Sequence, residues 1–176
     1  MTDEAITDYE DLSGMQLDDA ELNDLLGVTG ECVFNWTNKD GFPVGVVVSY
    51  VWHNGTFWTT CAGRRARVPA LAARSQSGIV VNHGGRTASF KGHSIVHRRG
   101  EDGWDELKTW FYDTLAAGHG TRGERPDVGD DYSEPTGYRA LLDSPHRVII
   151  ETEANLVVGF DTAKFAAKTA NAVGEM

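Results

Sequence analysis

The chain has 176 residues, 40% of them hydrophobic and five of them tryptophan, enough for one domain with a real hydrophobic core. Its formal net charge of −10 opposes binding to a polyanion, so no nucleic-acid partner is expected. No stretch approaches the ~20 consecutive apolar residues of a membrane helix, so no membrane partner is expected either.

Residues 1–31 hold ten acidic side chains and no Lys or Arg, whereas the remaining 145 hold 16 of each sign. The acidity belongs to an arm. The first sixteen or so residues read as a polar, mobile segment. Leu17 to Leu26 reads as a short helix, with Leu22, Leu25 and Leu26 on one stripe and Gly27 as its stop. Asp18 and Asp19 suit the positive end of its dipole. This gives an acidic arm and helix over 1–28, then one domain over 29–176.

From Glu31 the period changes to that of strands. Cys32 to Thr37 alternates, Asn38-Lys39-Asp40-Gly41 is a turn, and Phe42 to His53 is a long strand rich in Val, Tyr and Trp. Asn54-Gly55 is the strongest short hairpin signal, with Thr56 to Cys61 as the return strand. Arg64 to Gln76 is a helical candidate. Pro69 is tolerated only in a first turn, which puts the helix start near Val68. Strands resume over Gly78 to His83, turn through Gly84-Gly85 and continue from Thr87 to about Arg98. Trp104 to Ala117 is a helix with Leu107, Trp110, Phe111 and Leu115 at helical spacing and Gly118 as cap. Residues 118–137 read as an exposed loop or insertion. A short helix around Tyr138 to Asp143 then precedes a hairpin or bent strand, Arg147 to Phe160, and an alanine-rich tail from Thr162. Hairpin-linked strands with a few flanking helices make a mainly β, antiparallel barrel rather than a doubly wound sheet.

The N-terminus lacks a basic region followed by an apolar one, so no secretory signal is expected. The triplets Asn35 to Thr37 and Asn54 to Thr56 are then accidental as glycosylation acceptors. Cys32 and Cys61 form no close-spaced metal or redox motif, and a cytoplasmic location is the simplest reading. Gly118 to Gly123 matches G-x-G-x-x-G, but it follows a helix rather than a strand, against a dinucleotide site. His93 and His97 have the i, i+4 spacing that grips zinc on a helix. On a strand they stand ~13 Å apart, so no metal is expected. No G-x-S-x-G elbow, P-loop or paired-carboxylate pattern occurs in the body.

Residues 41–100 contain eight basic residues and no Asp or Glu. Such a face either docks the acidic arm, faces solvent, or holds a phosphorylated ligand. The third reading has a focus. Thr59 and Thr60 stand near a strand end, and Arg64, Arg65 and Arg67 cluster where the next helix starts. Backbone N–H groups there are unpaired, and arginine forks match phosphate geometry.

The run GFPVGVVVSYVWHNGTFWTTCAGRRARVPAL resembles the core of pyridoxamine 5'-phosphate oxidase-like split β-barrels. It has a Gly-x-Pro strand, an aromatic-rich strand, an Asn-Gly hairpin, a Trp-x-Thr strand and a basic residue, Arg67, four before Leu71. SGIVVNHGG and TASFKGHSIVH, with its Lys91-Gly92 step, resemble the next two barrel strands. The likeness covers roughly 17–115 and 145–165. It implies a Greek-key split barrel with flanking helices, a homodimer, and a cofactor at the subunit interface: FMN, alternatively the deazaflavin coenzyme F-420, or haem in a non-catalytic relative. By this likeness Thr59, Thr60, Arg64, Arg65 and Arg67 hold the phosphate, Ser49 lines the ring, and Lys91 comes from the partner subunit. The implied reaction is hydride transfer to or from a small organic substrate. The chain departs from the pattern at Pro69 and Ala70, and at Asn35 and Trp36. The C-terminal region specific to pyridoxamine oxidation is not recognisable.

Overall fold

In the computed structural model, residues 12–119 and 135–174 are described. Six antiparallel strands form a closed barrel: β1 (Glu31–Thr37), β2 (Pro43–His53), β3 (Thr56–Ala62), β4 (Gln76–His83), β5 (Arg86–His97) and β6 (Arg147–Asp161). Around the barrel the order is β1-β2-β3-β6-β5-β4, with β1 pairing β4 to close it. The antiparallel barrel read from the sequence is the observed fold.

The turns follow from local chemistry. Asn54-Gly55 (φ +49° and +79°) and Gly84-Gly85 (φ +57° and +82°) adopt the left-handed pairs that two-residue hairpins require. At residues 38–42, Asn38 Oδ1 accepts from the backbone N–H of Asp40 and Phe42, both at 2.9 Å. Of the hairpin or bent strand expected over Arg147 to Phe160, the structure has the single strand, β6. It pairs β3 along one edge and β5 along the other, with a register shift near Ser89 and Phe90.

Alternation on the strands sends Cys32, Phe34, Tyr50, Phe57, Cys61, Ile79, Val81, Phe90, Val148 and Ile150 inward. Two helices close this core. Helix α1 (Asp19–Val28) has a reciprocal capping box, Asp18 with Glu21, both bonds 2.8 Å. Leu25 and Leu26 enter the core, and the Tyr50 hydroxyl donates to the Leu26 carbonyl at 2.9 Å. The helix runs through Gly27 to Val28 rather than stopping there, and Leu17 lies before it, packed against Gly159. The expected mobility also gives way at residues 13–15, a 3-10 turn that buries Met15. Residues 1–11, which carry the rest of that expectation, lie outside the described residues.

Helix α2 (Arg67–Ala73) brings Val68 and Leu71 to the same core, with Pro69 in its first turn as expected. It ends three residues early because β4 begins at Gln76.

A second apolar cluster lies outside the barrel. Helix α3 (Trp104–His119) continues through the expected Gly118 cap and packs Trp104, Phe111, Tyr112 and Leu115 on Val51 and Ile149. Helix α4 (Pro135–Leu142) adds Leu142, and helix α5 (Thr162–Gly174) follows β6 directly. The proposed insertion falls mainly on residues 120–134, outside the described residues.

Asp143, after α4, ties this layer together. It accepts from Arg99 at 3.0 Å and lies 3.3 Å from Lys108 and 3.7 Å from Arg139. Burial works against its charge, but the Lys108 hydrogen bond and charge, then Arg139 and Arg99, hold its carboxyl below the ordinary value of 3.8. A lowered folded pKa contributes stability that is present above about pH 4 and is lost as pH falls through the folded value. Asp143→Asn is expected to cost about 1 kcal/mol at pH 7, discounted for its third-exposed side chain. Urea melts at pH 7 and pH 3 check this, since the difference from the parent should shrink towards zero at the lower pH.

Candidate functional site

Three strand ends meet at one end of the barrel. β3 ends where Ala62 pairs Arg147, the first residue of β6, and β5 ends where His97 pairs Ile149. The chain leaving β3 turns at Gly63, whose N–H donates to the His146 carbonyl at 2.7 Å. Between these ends lies a pocket of about 390 Å³, lined by Gly63, Arg64, Arg98, Arg99, His146 and Arg147, with Pro145 and Val148 as its apolar wall.

The basic stretch divides by partner. Arg86 pairs with Asp24 of α1 at 2.8 Å, so part of that face does dock acidic residues. Arg74 donates to the carbonyls of Thr37 and Asn38 at 3.2 and 2.8 Å. Among the described residues, no carboxylate pairs with Arg64, Arg65, Arg67, Arg98 or Arg147.

The anticipated cradle is spread over several places. Arg67 is only 9% exposed and sits beside Cys61. Burial pushes the Cys61 thiol up, against the pull of Arg67, Arg147 and Arg65. Arg65 is exposed on the turn before α2, and Arg64 faces the pocket. Thr59 is buried inside the barrel at 2% exposure. The Thr60 hydroxyl donates to the Val148 carbonyl at 2.7 Å. Ser49 and Lys91 lie on the barrel wall, separated by strands β1 and β4. One chain therefore groups Arg65 and Arg67 near Cys61, and leaves Ser49 and Lys91 apart from them and from each other.

Arg98, Arg99, His146 and Arg147 were not singled out from the sequence as site residues. The available signal was two basic pairs at strand ends. It becomes informative only when β6 is known to lie between β3 and β5.

His93 and His97 stand on β5, as the strand reading requires, and each has its own neighbour. His93 Nδ1 lies 2.9 Å from the Ser75 hydroxyl, and His97 Nε2 lies 2.7 Å from Glu151 Oε2 with Trp58 stacked on its ring. Burial pushes the Cys32 thiol up to about 12, so it is a neutral thiol at pH 7 and a poor nucleophile. The Gly118–Gly123 run begins inside α3 and passes beyond the described residues. Among the described residues no helix is long and apolar enough to cross a membrane.

No protein-family model and no curated protein matches the chain. Solved structures do match it. A conserved hypothetical protein of Mycobacterium tuberculosis is similar at TM-score 0.63 and 16% identity, over 88% of this chain and 91% of that one. A pyridoxamine 5'-phosphate oxidase-related, FMN-binding protein of Nostoc punctiforme is similar at TM-score 0.54 and 9% identity, over 78% and 82%. An F-420 reductase is similar at TM-score 0.52 and 15% identity, over 76% and 92%. The heme storage protein of Vibrio cholerae shares the fold at TM-score 0.56 and 11% identity, over 82% and 96%. The fold is that of the pyridoxamine 5'-phosphate oxidase-like split barrel.

Proposed function

We propose that this chain is a homodimeric oxidoreductase that binds a flavin-type cofactor, FMN or alternatively its deazaflavin counterpart F-420, and acts on a small organic substrate. The observation that carries this reading is Arg67: an arginine only 9% exposed, without a carboxylate partner among the described residues. A buried cation without a countercharge is costly, and an anionic group at the turn between β3 and α2 offsets that cost. Arg65 stands two residues away to share the same anion.

When bound, the cofactor supplies hydride transfer. The chain's own residues position it: Arg67 and Arg65 bind its phosphate, and Arg64 extends the positive field towards the neighbouring pocket. Ser49 and Lys91 meet the rest of the site from facing subunits.

A bare stretch of barrel wall supports the dimer. Val47 on β2 pairs Val33 on β1, which pairs Val80 on β4, then Ser89 on β5 and Val158 on β6. Val47, Val33 and Val158 are 61%, 37% and 40% exposed, an apolar row that a second copy would cover.

Titration of the purified protein with FMN and with F-420, followed by fluorescence, tests the reading. Saturable binding of one of them is expected, together with a dimeric mass in solution. Arg67→Ala and Arg65→Ala should each weaken binding about tenfold or more, the loss of a charge-assisted hydrogen bond. A Soret band in place of a flavin spectrum, or no saturable binding of either cofactor, overturns the oxidoreductase reading.

A further inference from the structure

The two edges of β6 are not used equally. From Arg147 to Glu153 the strand pairs β3 on one side and β5 on the other. The β3 pairing ends where Thr56 meets Glu153, and the Ala154 N–H then donates to the Gly55 carbonyl of the hairpin turn at 3.5 Å. From Asn155 to Asp161 β6 pairs β5 alone, so among the described residues its opposite edge has no partner strand. Asn155, Leu156, Val157 and Val158 are all exposed. Leu156 stands opposite the core residue Phe90, yet is 41% exposed, and Val157, the extra residue at the register shift, is 58% exposed. Leu17 covers the strand only at Gly159. Edge strands are commonly guarded by Lys, Pro, an inward charge or a bulge, and between Ala154 and Phe160 the bulge is the one guard present. An apolar edge with free backbone donors and acceptors is a template for another strand.

We infer that this edge docks a partner protein by strand addition, taking an extended segment that is apolar at alternate positions and basic at both ends. Main-chain hydrogen bonds supply the hold in such docking, and side chains supply the choice. Asn155 to Phe160 offers a ladder about 20 Å long. Charge selects the occupant. Glu153 and Asp161 stand at the two ends of the stretch, and Leu17 leads directly into Asp18 and Asp19 at the start of α1. The nearby cations are committed, Arg86 to Asp24 at 2.8 Å and Lys164 to Glu21 and the Gln16 carbonyl. Opposite charges across a strand pair favour pairing, and like charges oppose it. A second copy added antiparallel about Val157 would set Glu153 of each chain against Asp161 of the other, so the edge disfavours self-pairing. The chain's net charge of −10 also draws a basic partner from a distance. This docking goes beyond the oxidoreductase reading and needs neither the cofactor nor the dimer: the row of Val47, Val33 and Val158 lies on the outer face of the wall, whereas the edge is the in-plane boundary of β6.

The probe is a fluorescein-labelled peptide, Lys-Val-Thr-Val-Thr-Val-Lys, titrated with the full chain and followed by fluorescence anisotropy. Its controls are the same peptide with Glu at both ends and the same peptide N-methylated at every Val and Thr. The basic peptide should bind saturably, and each control should bind about tenfold more weakly or worse, since N-methylation removes the ladder while keeping the side chains. Val157→Lys, at a position exposed enough to leave the fold intact, should weaken the basic peptide about tenfold by guarding the edge. Glu153→Lys should narrow the preference for basic over acidic ends. Binding that never saturates, that survives N-methylation, or that ignores Val157→Lys would overturn the docking edge. So would a solution mass that falls to the monomer in Val157→Lys, which would give the edge to a second copy. Failure of the oxidoreductase reading has a different signature: no binding of FMN or F-420, with the basic peptide still bound and still sensitive to Val157→Lys.

Discussion

Phe57→Ala should lower the unfolding free energy by about 3–5 kcal/mol, the cost of emptying a ring-sized volume in a rigid core. Phe57 is fully buried, and three other rings converge on it: Trp52 at 4.6 Å, Phe90 at 5.0 Å and Tyr50 at 5.1 Å. The Tyr50 and Phe90 contacts are edge-to-face, the geometry in which aromatic pairs add about 0.5–1.5 kcal/mol beyond area burial. These side chains come from β2, β3 and β5, so the cluster joins strands on opposite sides of the barrel. No single neighbour can collapse into the gap, because each is held by its own strand register. The loss should appear as a drop in melting temperature of about 6–20 °C for a chain of this size, with Trp52 fluorescence reporting the loosened packing. Phe57→Leu should recover most of it. A cost below about 1 kcal/mol for the alanine variant would mean that the ring is not the centre of the core.

The barrel was legible because its signals are local. Asn54-Gly55 and Gly84-Gly85 state their hairpins outright, and alternation around Phe34, Tyr50, Phe57 and Ile79 states which face is inside. The split-barrel likeness then supplied a topology that periodicity alone does not carry. Less legible were features fixed by tertiary contact. Gly27 stays helical because Leu25 and Leu26 are anchored in the core and hold the last turn in place. Met15 is buried although the residues around it read as a polar arm. Residues 147–160 read equally as a hairpin or one strand, and only pairing with both β3 and β5 decides for one.

The candidate site shows the same division more sharply. A cluster of Arg64, Arg65 and Arg67 is visible in the sequence, but one turn of chain parts Arg64 from the other two, which stay near Cys61. Arg67 enters the helix and is buried, Arg65 stays outside, and Arg64 faces the pocket. Thr59 and Thr60 alternate on a strand, so they cannot both present hydroxyls on one face. Arg147 lies 80 residues beyond Arg67 and meets the region only through the β3–β6 pairing.

Gly92→Ala should destabilise the barrel by about 3 kcal/mol, the upper part of the range for forcing an extra carbon into filled space. A Cβ at Gly92 would fall on the carbonyl oxygen of Glu153, with that carbonyl carbon at 3.0 Å and the Ala154 Cα at 3.1 Å. These are backbone atoms of the neighbouring strand, so no side-chain rotation relieves the contact. Relief requires β5 and β6 to separate where Gly92 pairs Ala154. The displacement would reach Ser94, whose hydroxyl links those of Ser77 at 2.7 Å and Thr152 at 2.8 Å in a buried chain across three strands. It would also shift Lys91, the residue proposed above to meet the facing subunit's site. Gly78→Ala is the matched control, since its added carbon meets only ordinary contacts, 3.6 Å from the Phe90 oxygen and 3.8 Å from the Asn35 Cβ. That variant should stay within about 0.5 kcal/mol of the parent. Urea melts of the two variants decide the matter. A large loss confined to Gly92→Ala assigns the Lys91-Gly92 step to strand packing, whereas equal and small effects would show that β5 and β6 have slack where they cross.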